Sequence, residues 1–472
     1  MLIPKRSKDP ISLSLCYSLF VSTLLIPGCA SKSARPTPSD VPVEMSAGLR
    51  EERALALVGT SKVSRFVLNN GLTVLINEDH SSPTFAYHTW FRVGSRDEEV
   101  GRTGLAHLFE HMMFKQTKNL KDGEFDRILE GAGVEGENAF TSRDYTAYVQ
   151  ELPKEKLELI IKLESERIVN LVVDEKAFKT ETEVVQNERR YRDENSPDGT
   201  IYNELFGLAF TQHPYRWPVV GYQKDLDSMN GEDARKFYKT HYSPNHAVVV
   251  VSGDVKTAET LAIINKFYGD IAPQERMQTP VPIEPLQAEP RRKELKLNIQ
   301  VEKLAIAYHI PGVIHADIPA LEVLEDLLTG GKSSRLHRAL VETGIATSVE
   351  ASDLEDKDPS LFTIWVNLQK GKKAVQAEAI VLRELARLAK EAPSEAEMKR
   401  VKNRMEFNFY SGLDTNSGKN RFMGFYEVVA GDFRAGLKQH EDILKVTPTQ
   451  VSQVTQRYFD PNGRTVLTGV QK

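Results

Sequence analysis

Residues 104–114 read G-L-A-H-L-F-E-H-M-M-F and contain the pattern H-x-x-E-H. The apolar residues of this stretch repeat at helical spacing, which predicts a buried helix. Residues four apart share one face of a helix, so His107 and His111 can present their imidazoles to one metal ion, with Glu110 beside them. Two histidines, a third ligand from elsewhere and a nearby carboxylate are what zinc-dependent hydrolysis requires.

A second helical stretch, residues 175–192, carries two glutamates that could complete the site. Glu181 and Glu188 are seven residues apart, which places them two turns along one helical face. Charged helices with this spacing are usually solvent-exposed, so Glu188 alone would indicate nothing. Glu188 becomes a candidate third ligand because of its position, since 76 residues separate it from His111.

The combination resembles the pitrilysin-like zinc peptidases, a family that includes insulysin and the mitochondrial processing peptidase. Their pattern is H-x-x-E-H followed, after a long spacer, by a glutamate. The likeness runs from about Ser64 to the C-terminus, and it is strongest for the zinc-bearing subunits of bacterial two-subunit members. Further segments that resemble family motifs are N-A-F-T-S-R at 138–143, H-P-Y at 213–215, G-Y at 221–222 and G-K-S-S-R-L at 331–336.

The resemblance implies a zinc metalloendopeptidase that binds one Zn²⁺ per chain. His107, His111 and Glu188 would be the metal ligands, and Glu110 would be the catalytic general base. Glu181 would accept a hydrogen bond from a ligand histidine and fix its orientation. The residues expected to form an edge strand that binds an extended peptide are Asn138, Ala139, Phe140 and Thr141.

One departure from the family pattern concerns the groups that stabilise the oxyanion. Fully equipped members carry an arginine and a tyrosine seven residues apart in the second half, where alignment on Gly344 and Ala346 gives Leu340 and Thr347. Leucine has no donor and threonine is too short, and one oxyanion donor is typically worth about 2.7–4 kcal/mol. We therefore expect a homologous partner chain to supply the pair, with this chain as the zinc-bearing half of a hetero-oligomer.

Two other interpretations stay open at this point. The chain could be a non-enzymatic structural or assembly protein on the same fold. Such proteins usually lose ligands or the base, whereas all four groups are present here. The chain could also be an enzyme that acts alone or as a homodimer, if other groups replace the missing pair.

Length and composition predict two soluble domains. A chain of 472 residues exceeds what one core usually supports, and 27% charged residues is ordinary for a globular protein. Residues 1–28 carry a net charge of +2, so the remainder has −7 against −5 for the whole chain. Because this mild acidity offers no basic patch, we expect no nucleic-acid partner.

An internal repeat predicts that the two domains are homologous. A helix, a Pro-Asn turn and a valine-rich strand at 234–251 are echoed at 454–467, and Pro461 lies 217 positions after Pro244. Leu321–Asp326 lies roughly in the place of the zinc helix and has no histidine pair. We predict an α+β fold in which each domain is a mainly antiparallel sheet packed with helices.

The domain boundaries follow from the repeat and from proline content. Five prolines fall within residues 271–290, which indicates a linker. We predict a zinc-bearing peptidase domain at 61–270, a proline-rich linker at 271–292 and a peptidase-like domain without a metal site at 293–472.

The N-terminus predicts the cellular location. Lys5, Arg6 and Lys8 precede a short apolar run that ends in L-I-P-G-C, which resembles a bacterial lipobox. We predict a lipoprotein signal peptide at 1–28, lipidation of Cys29 and a flexible tether at 29–60. An uncleaved anchor or an ordinary secretory signal are the alternatives. Ala30 favours a lipid anchor in the outer membrane, facing the periplasm of a bacterial cell envelope.

Overall fold

The computed structural model of the protein describes residues 48–275, 280–353 and 356–472. The predicted signal peptide, Cys29 and the beginning of the predicted tether lie outside these residues. Across the described ranges, we find no helix with both the length and the apolar character needed to cross a membrane.

A seven-stranded sheet forms the first half of the described chain. Its spatial order is β1-β2-β3-β7-β4-β6-β5, and all neighbours are antiparallel except the parallel pair of β3 and β7. The strands are β1 (Leu49–Ala56), β2 (Lys62–Leu68), β3 (Thr73–Glu78), β4 (Thr84–Phe91), β5 (Glu135–Thr141), β6 (Thr146–Pro153) and β7 (Ala247–Gly253).

A five-stranded sheet in the second half repeats the first. Its strands are β8 (Arg291–Leu297), β9 (Lys303–Ile310), β10 (Ala346–Asp353), β11 (Ser360–Leu368) and β12 (Arg464–Gln471), in the order β10-β11-β9-β12-β8. This order matches β5-β6-β4-β7-β3, and β12 and β8 form the corresponding parallel pair. The shared topology agrees with the predicted duplication, and the predicted α+β fold with two helix-packed sheets is confirmed.

The helices cover both sheets. Those of the first half are α1 (Leu105–Met112), α2 (Glu124–Ala132), α3 (Leu157–Asn170), α4 (Glu175–Arg189), α5 (Pro197–Ala209), α6 (Gln223–Ser228), α7 (Gly231–His241) and α8 (Thr257–Tyr268). Those of the second half are α9 (Ile318–Thr329), α10 (Ala374–Lys390), α11 (Glu395–Gly412), α12 (Asn416–Val429), α13 (Arg434–Lys445) and α14 (Pro448–Tyr458). Because α9 follows β9 as α1 follows β4, it occupies the place of the predicted zinc helix.

The two halves exchange helices. Helix α12 of the second half packs on β4 and β7 of the first sheet, where Met423 and Val429 join a buried apolar cluster that includes Trp90 and Val250. Helix α5 of the first half packs on β8, β9 and β12. A division of the chain at the linker does not predict this exchange, because helical periodicity indicates a buried face but not the sheet that buries it.

Two predicted boundaries are wrong. The tether was expected to extend to residue 60, yet β1 pairs with β2 along its whole length. The sequence of β1 is charged apart from its ends, which is typical of an edge strand, and Leu49 and Leu55 anchor it in the core. The proline-rich linker ends before Arg291, because residues 291 and 292 already belong to β8.

Candidate metal centre

The loop before α1 fixes the start of the helix that carries H-x-x-E-H. Gly104 has a φ of 100°, and a Cβ there would lie 2.7 Å from the carbonyl oxygen of Val220, so this position needs glycine. The buried carboxylate of Glu98 accepts hydrogen bonds from the backbone N–H of Gly104 (2.9 Å) and of Ala106 (2.8 Å). Sequence reasoning missed Glu98, because it lies outside the helix and away from the usual capping position.

Helix α4 brings Glu188 to the two histidines of α1. His111 Nε2 lies 3.2 Å from one carboxylate oxygen of Glu188, Oε2, and His107 Nε2 lies 3.9 Å from the other, Oε1. Asp174 caps α4 by accepting a hydrogen bond from Ala177 N at 2.7 Å. The carboxylate of Glu188 therefore faces both imidazoles.

This donor set fits a metal ion. Nitrogen and oxygen ligands at about 2.0–2.1 Å from a tetrahedral ion lie about 3.3 Å apart, close to the separations of 3.2 and 3.9 Å between the histidines and Glu188. Ligand atoms of His107, Glu110 and His111 also lie within 4.8 Å of one another. The residues could thus hold one ion, with either glutamate near it.

Glu181 orients His111 from the side opposite Glu188. Its Oε1 lies 3.1 Å from His111 Nδ1, and Lys115 Nζ lies 3.0 Å from its Oε2. Although burial opposes ionisation, the hydrogen bonds from His111 and Lys115 lower the pKa of Glu181. The buried carboxylate is therefore charged and holds Nδ1 of His111, so that Nε2 faces Glu188. Its role in orienting a metal ligand stays a prediction.

The two histidines differ in charge when no metal is bound. Burial lowers the pKa of His107 to about 4, with a further contribution from His111, so His107 is neutral. Burial also opposes protonation of His111, but its hydrogen bonds with Glu181 and Glu188 raise its pKa to about 9. The hydrogen bond from His111 in turn lowers the pKa of Glu188 to about 2. A metal ion would replace the proton of His111.

Glu110 is held by the edge strand rather than by the histidines. Thr141 Oγ1, at the end of β5, donates a hydrogen bond of 2.6 Å to Glu110 Oε2. Burial raises the pKa of Glu110 despite this hydrogen bond. Sequence reasoning assigned Thr141 to peptide binding alone, because a contact between a strand and a helix 31 residues apart leaves no sequence signal.

The predicted peptide-binding strand lies at the free edge of the first sheet. β5 pairs with β6 on one side and is the last strand of the sheet on the other. Ala139 faces the core beside α1, whereas Phe140 packs edge-on against Trp90 at 5.5 Å. Since these two side chains are used in packing, a peptide would be bound through backbone groups. Peptide binding at residues 138–141 stays a prediction.

Neither position of the missing Arg/Tyr pair offers a donor to the centre. Leu340 is completely buried in the core of the second half. Thr347 is the extra residue of a bulge between β10 and β11, and its hydroxyl donates to the carbonyl oxygen of Asn367 at 3.1 Å. These contacts occupy both side chains within their own half.

Comparison with known proteins gives the family. Residues 73–220 match the insulinase family, peptidase family M16, and residues 228–405 match the family's inactive domain. The zinc protease PqqE of Helicobacter pylori is 31% identical over 407 residues, which cover 85% of this chain and 91% of that protein. The chain therefore belongs to peptidase family M16, which confirms the resemblance noted in its motifs.

Other relatives extend this assignment. The uncharacterized zinc protease YmxG of Bacillus subtilis is 26% identical over 403 residues, covering 84% of this chain and 96% of that protein. The crystal structure of a protease from Helicobacter pylori has a TM-score of 0.83 at 30% identity, covering 87% of this chain and 100% of that one. Relatives named zinc proteases support a metallopeptidase-like role.

Proposed function

We propose that this protein is a zinc-dependent endopeptidase. The observation that carries the proposal is the position of the Glu188 carboxylate, which lies 3.2 Å from Nε2 of His111 and 3.9 Å from Nε2 of His107. Glu110 stands beside this group as the base. Loss of ligands or of the base would favour the alternative, a structural or assembly protein on the same fold, and all four groups are present.

His107, His111 and Glu188 would hold the ion, with Glu181 orienting His111. When bound, zinc supplies Lewis-acid activation of water and of the peptide carbonyl. Glu110 takes the proton of the attacking water and later passes it to the leaving amine. Thr141 occupies Oε2 of Glu110, so Oε1 is the atom that receives the proton.

Substrates of this site are short or unfolded peptides. The free edge of β5 ends at Thr141, whose side chain contacts Glu110, so a peptide added along β5 would run past the base. Strand addition needs free backbone N–H and C=O groups, which a folded protein has already paired.

The enzyme acts as the catalytic subunit of a hetero-oligomer. Leu340 is buried and the hydroxyl of Thr347 is bonded within its own sheet, so neither can stabilise an oxyanion. A homologous partner subunit supplies an arginine and a tyrosine at the centre. Because each oxyanion donor is worth roughly 10²–10³ in turnover, the chain alone is a poor catalyst.

Turnover of a quenched peptide library tests this proposal. The zinc-loaded chain alone is expected to cleave slowly, to lose this activity on chelation and to regain it with zinc. A homologous chain that carries Arg and Tyr but no zinc motif is expected to raise the rate by orders of magnitude. Full activity of the chain alone, with no gain on mixing, would overturn the proposal that a partner subunit is needed. Absence of any zinc-dependent cleavage in the mixture would overturn the proposal that the protein is an enzyme.

The location rests on the N-terminal motif. We propose that Cys29 is lipidated and anchors the enzyme to the outer membrane, facing the periplasm. Metabolic labelling with a fatty acid is expected to label the native chain and not a Cys29→Ser variant. Equal labelling of both would overturn the anchor.

A further inference from the structure

Arg192 contacts the predicted ligand Glu188 and has no assigned role. It lies four residues after Glu188, and its Nη1 is 2.7 Å from Glu188 Oε1. Its side chain is 61% exposed, so the ion pair lies at the mouth of the centre rather than in the core. A surface ion pair of this kind contributes little to stability. A functional role of the contact between Arg192 and Glu188 is therefore worth testing.

The backbone holds Arg192 in a specific place. Residues 190–194 form a π-helical turn between α4 and α5, and such turns are frequent at functional sites. Thr200 Oγ1 donates to the carbonyl oxygen of Asp193 at 2.7 Å. A Cβ on Gly199 would lie 2.1 Å from the carbonyl oxygen of Arg192, so only glycine allows this packing.

Two neighbouring arginines do not reach the centre. Arg189 donates from Nε to the carbonyl oxygen of Gly221 at 3.1 Å and pairs with Glu194. Arg190 donates to the side chain of Asn187. Of these three cations, Arg192 is the one that contacts Glu188.

The carboxylate of Glu188 lies between the two histidines, with Oε2 toward His111 and Oε1 toward His107. Without a further contact, this arrangement would let both oxygens bind one ion. The guanidinium of Arg192 is already bonded to Oε1. Building on the proposed metal site, we propose that Arg192 is a positioning residue that restricts Glu188 to one metal-binding oxygen, Oε2, so that this oxygen, the two histidines and one water would give the ion four ligands.

Loss of the Arg192 side chain is expected to tighten metal binding. Removal of Arg192 frees Oε1 and takes away a positive charge near the cation. The metal is then held by one more oxygen and with less electrostatic repulsion. The affinity for the metal is expected to rise by roughly tenfold, and the ion, with its bound water, is expected to have five ligands instead of four.

Cobalt(II) loaded into the purified chain tests this inference, because the visible absorption of cobalt is strong with four ligands and weaker with five. Arg192→Ala is expected to weaken the absorption per bound ion and to tighten binding in competition with a chelator. Arg190→Ala removes the same charge two residues away and is expected to match the wild type. Arg192→Lys keeps a cationic donor and should recover part of the wild-type spectrum.

Two cobalt spectra would overturn the role of Arg192, and one would overturn the metal site. An unchanged spectrum in Arg192→Ala, with thermal stability equal to the wild type, would overturn the inference whatever the affinity does. A change of the same size in Arg190→Ala would overturn it as well, because a general charge effect would then explain both. Failure of the wild type to bind cobalt at all would instead overturn the proposed metal site.

Discussion

Thr141 Oγ1 donates a hydrogen bond of 2.6 Å to Oε2 of Glu110. This contact ties the strand that would bind a peptide to the residue that would act as base. The end of β5 and the carboxylate of Glu110 therefore keep a fixed relative position. In the proposed enzyme, this one side chain would couple substrate binding to the chemistry.

Thr141→Val is expected to lower kcat roughly tenfold while metal content stays unchanged. Valine has the shape of threonine but no hydroxyl, and a hydrogen bond to a charged group is worth about 1.5–3 kcal/mol. Thr141→Ser keeps the donor and should retain most of the activity. Steady-state kinetics with a quenched peptide, beside zinc analysis, measures both. Full turnover in the valine variant would contradict this role for Thr141.

The ligand set predicts a different phenotype from the base. His107→Ala, His111→Ala and Glu188→Ala should each lose metal and activity together, as measured by metal analysis after dialysis. Glu181→Gln keeps all three ligands and should bind metal about 10–100-fold more weakly. Stoichiometric zinc in any one of the three alanine variants would remove that residue from the set.

The sequence predicted which side chains meet at the centre, but it did not predict the contacts that surround them. The spacing of His107 and His111 on one helix and the family pattern pointed to Glu188, and the structure brings these three side chains together. The contacts of Thr141 and Glu98 with the H-x-x-E-H helix were not predicted, because they depend on how strands and loops pack against it. Such contacts follow from the fold and not from local spacing.

The same holds for the architecture. The helix-turn-strand repeat and the linker predicted two related halves, and the matching strand orders agree with them. The exchange of α5 and α12 between the sheets was not predicted. Asn420 on α12 donates 2.9 Å hydrogen bonds to the carbonyl oxygens of Ala86 and Val250. In the sequence, Asn420 cannot be distinguished from a solvent-exposed polar residue of a helix, so its contacts with the first sheet could not be predicted.

Gly424→Ala tests the packing of α12 on the first sheet. A Cβ at Gly424 would lie 2.2 Å from Trp90 Nε1, so the helix must move away from the sheet. We expect a loss of about 1–3 kcal/mol in the free energy of unfolding, measured by urea denaturation. Gly412→Ala, in α11, meets no atom within 4 Å and should be neutral or slightly stabilising. Equal effects of the two variants would contradict this packing.

An ion pair between the halves should make stability depend on pH. Hydrogen bonds from Lys419 and Ser81 lower the pKa of Asp79 to about 2, from an ordinary value of 3.8. A lowered pKa stabilises the folded state above pH 3.8, and this contribution is lost as the pH falls toward 2. Asp79→Asn should therefore lower the free energy of unfolding by about 1 kcal/mol at pH 7, after allowance for partial exposure. The difference should shrink at pH 3, and a constant difference would contradict the assignment.

Glu110→Gln tests whether the chain is a zinc-dependent peptidase with Glu110 as its base. Zinc content and peptide hydrolysis are measured on the same preparation in the presence of the homologous partner chain. The amide keeps the size of the side chain and leaves His107, His111 and Glu188 intact, but it cannot accept the proton of the attacking water. We expect one zinc per chain, as in the wild type, with hydrolysis reduced to background. Undiminished hydrolysis at full zinc content would contradict the role of Glu110 as the base.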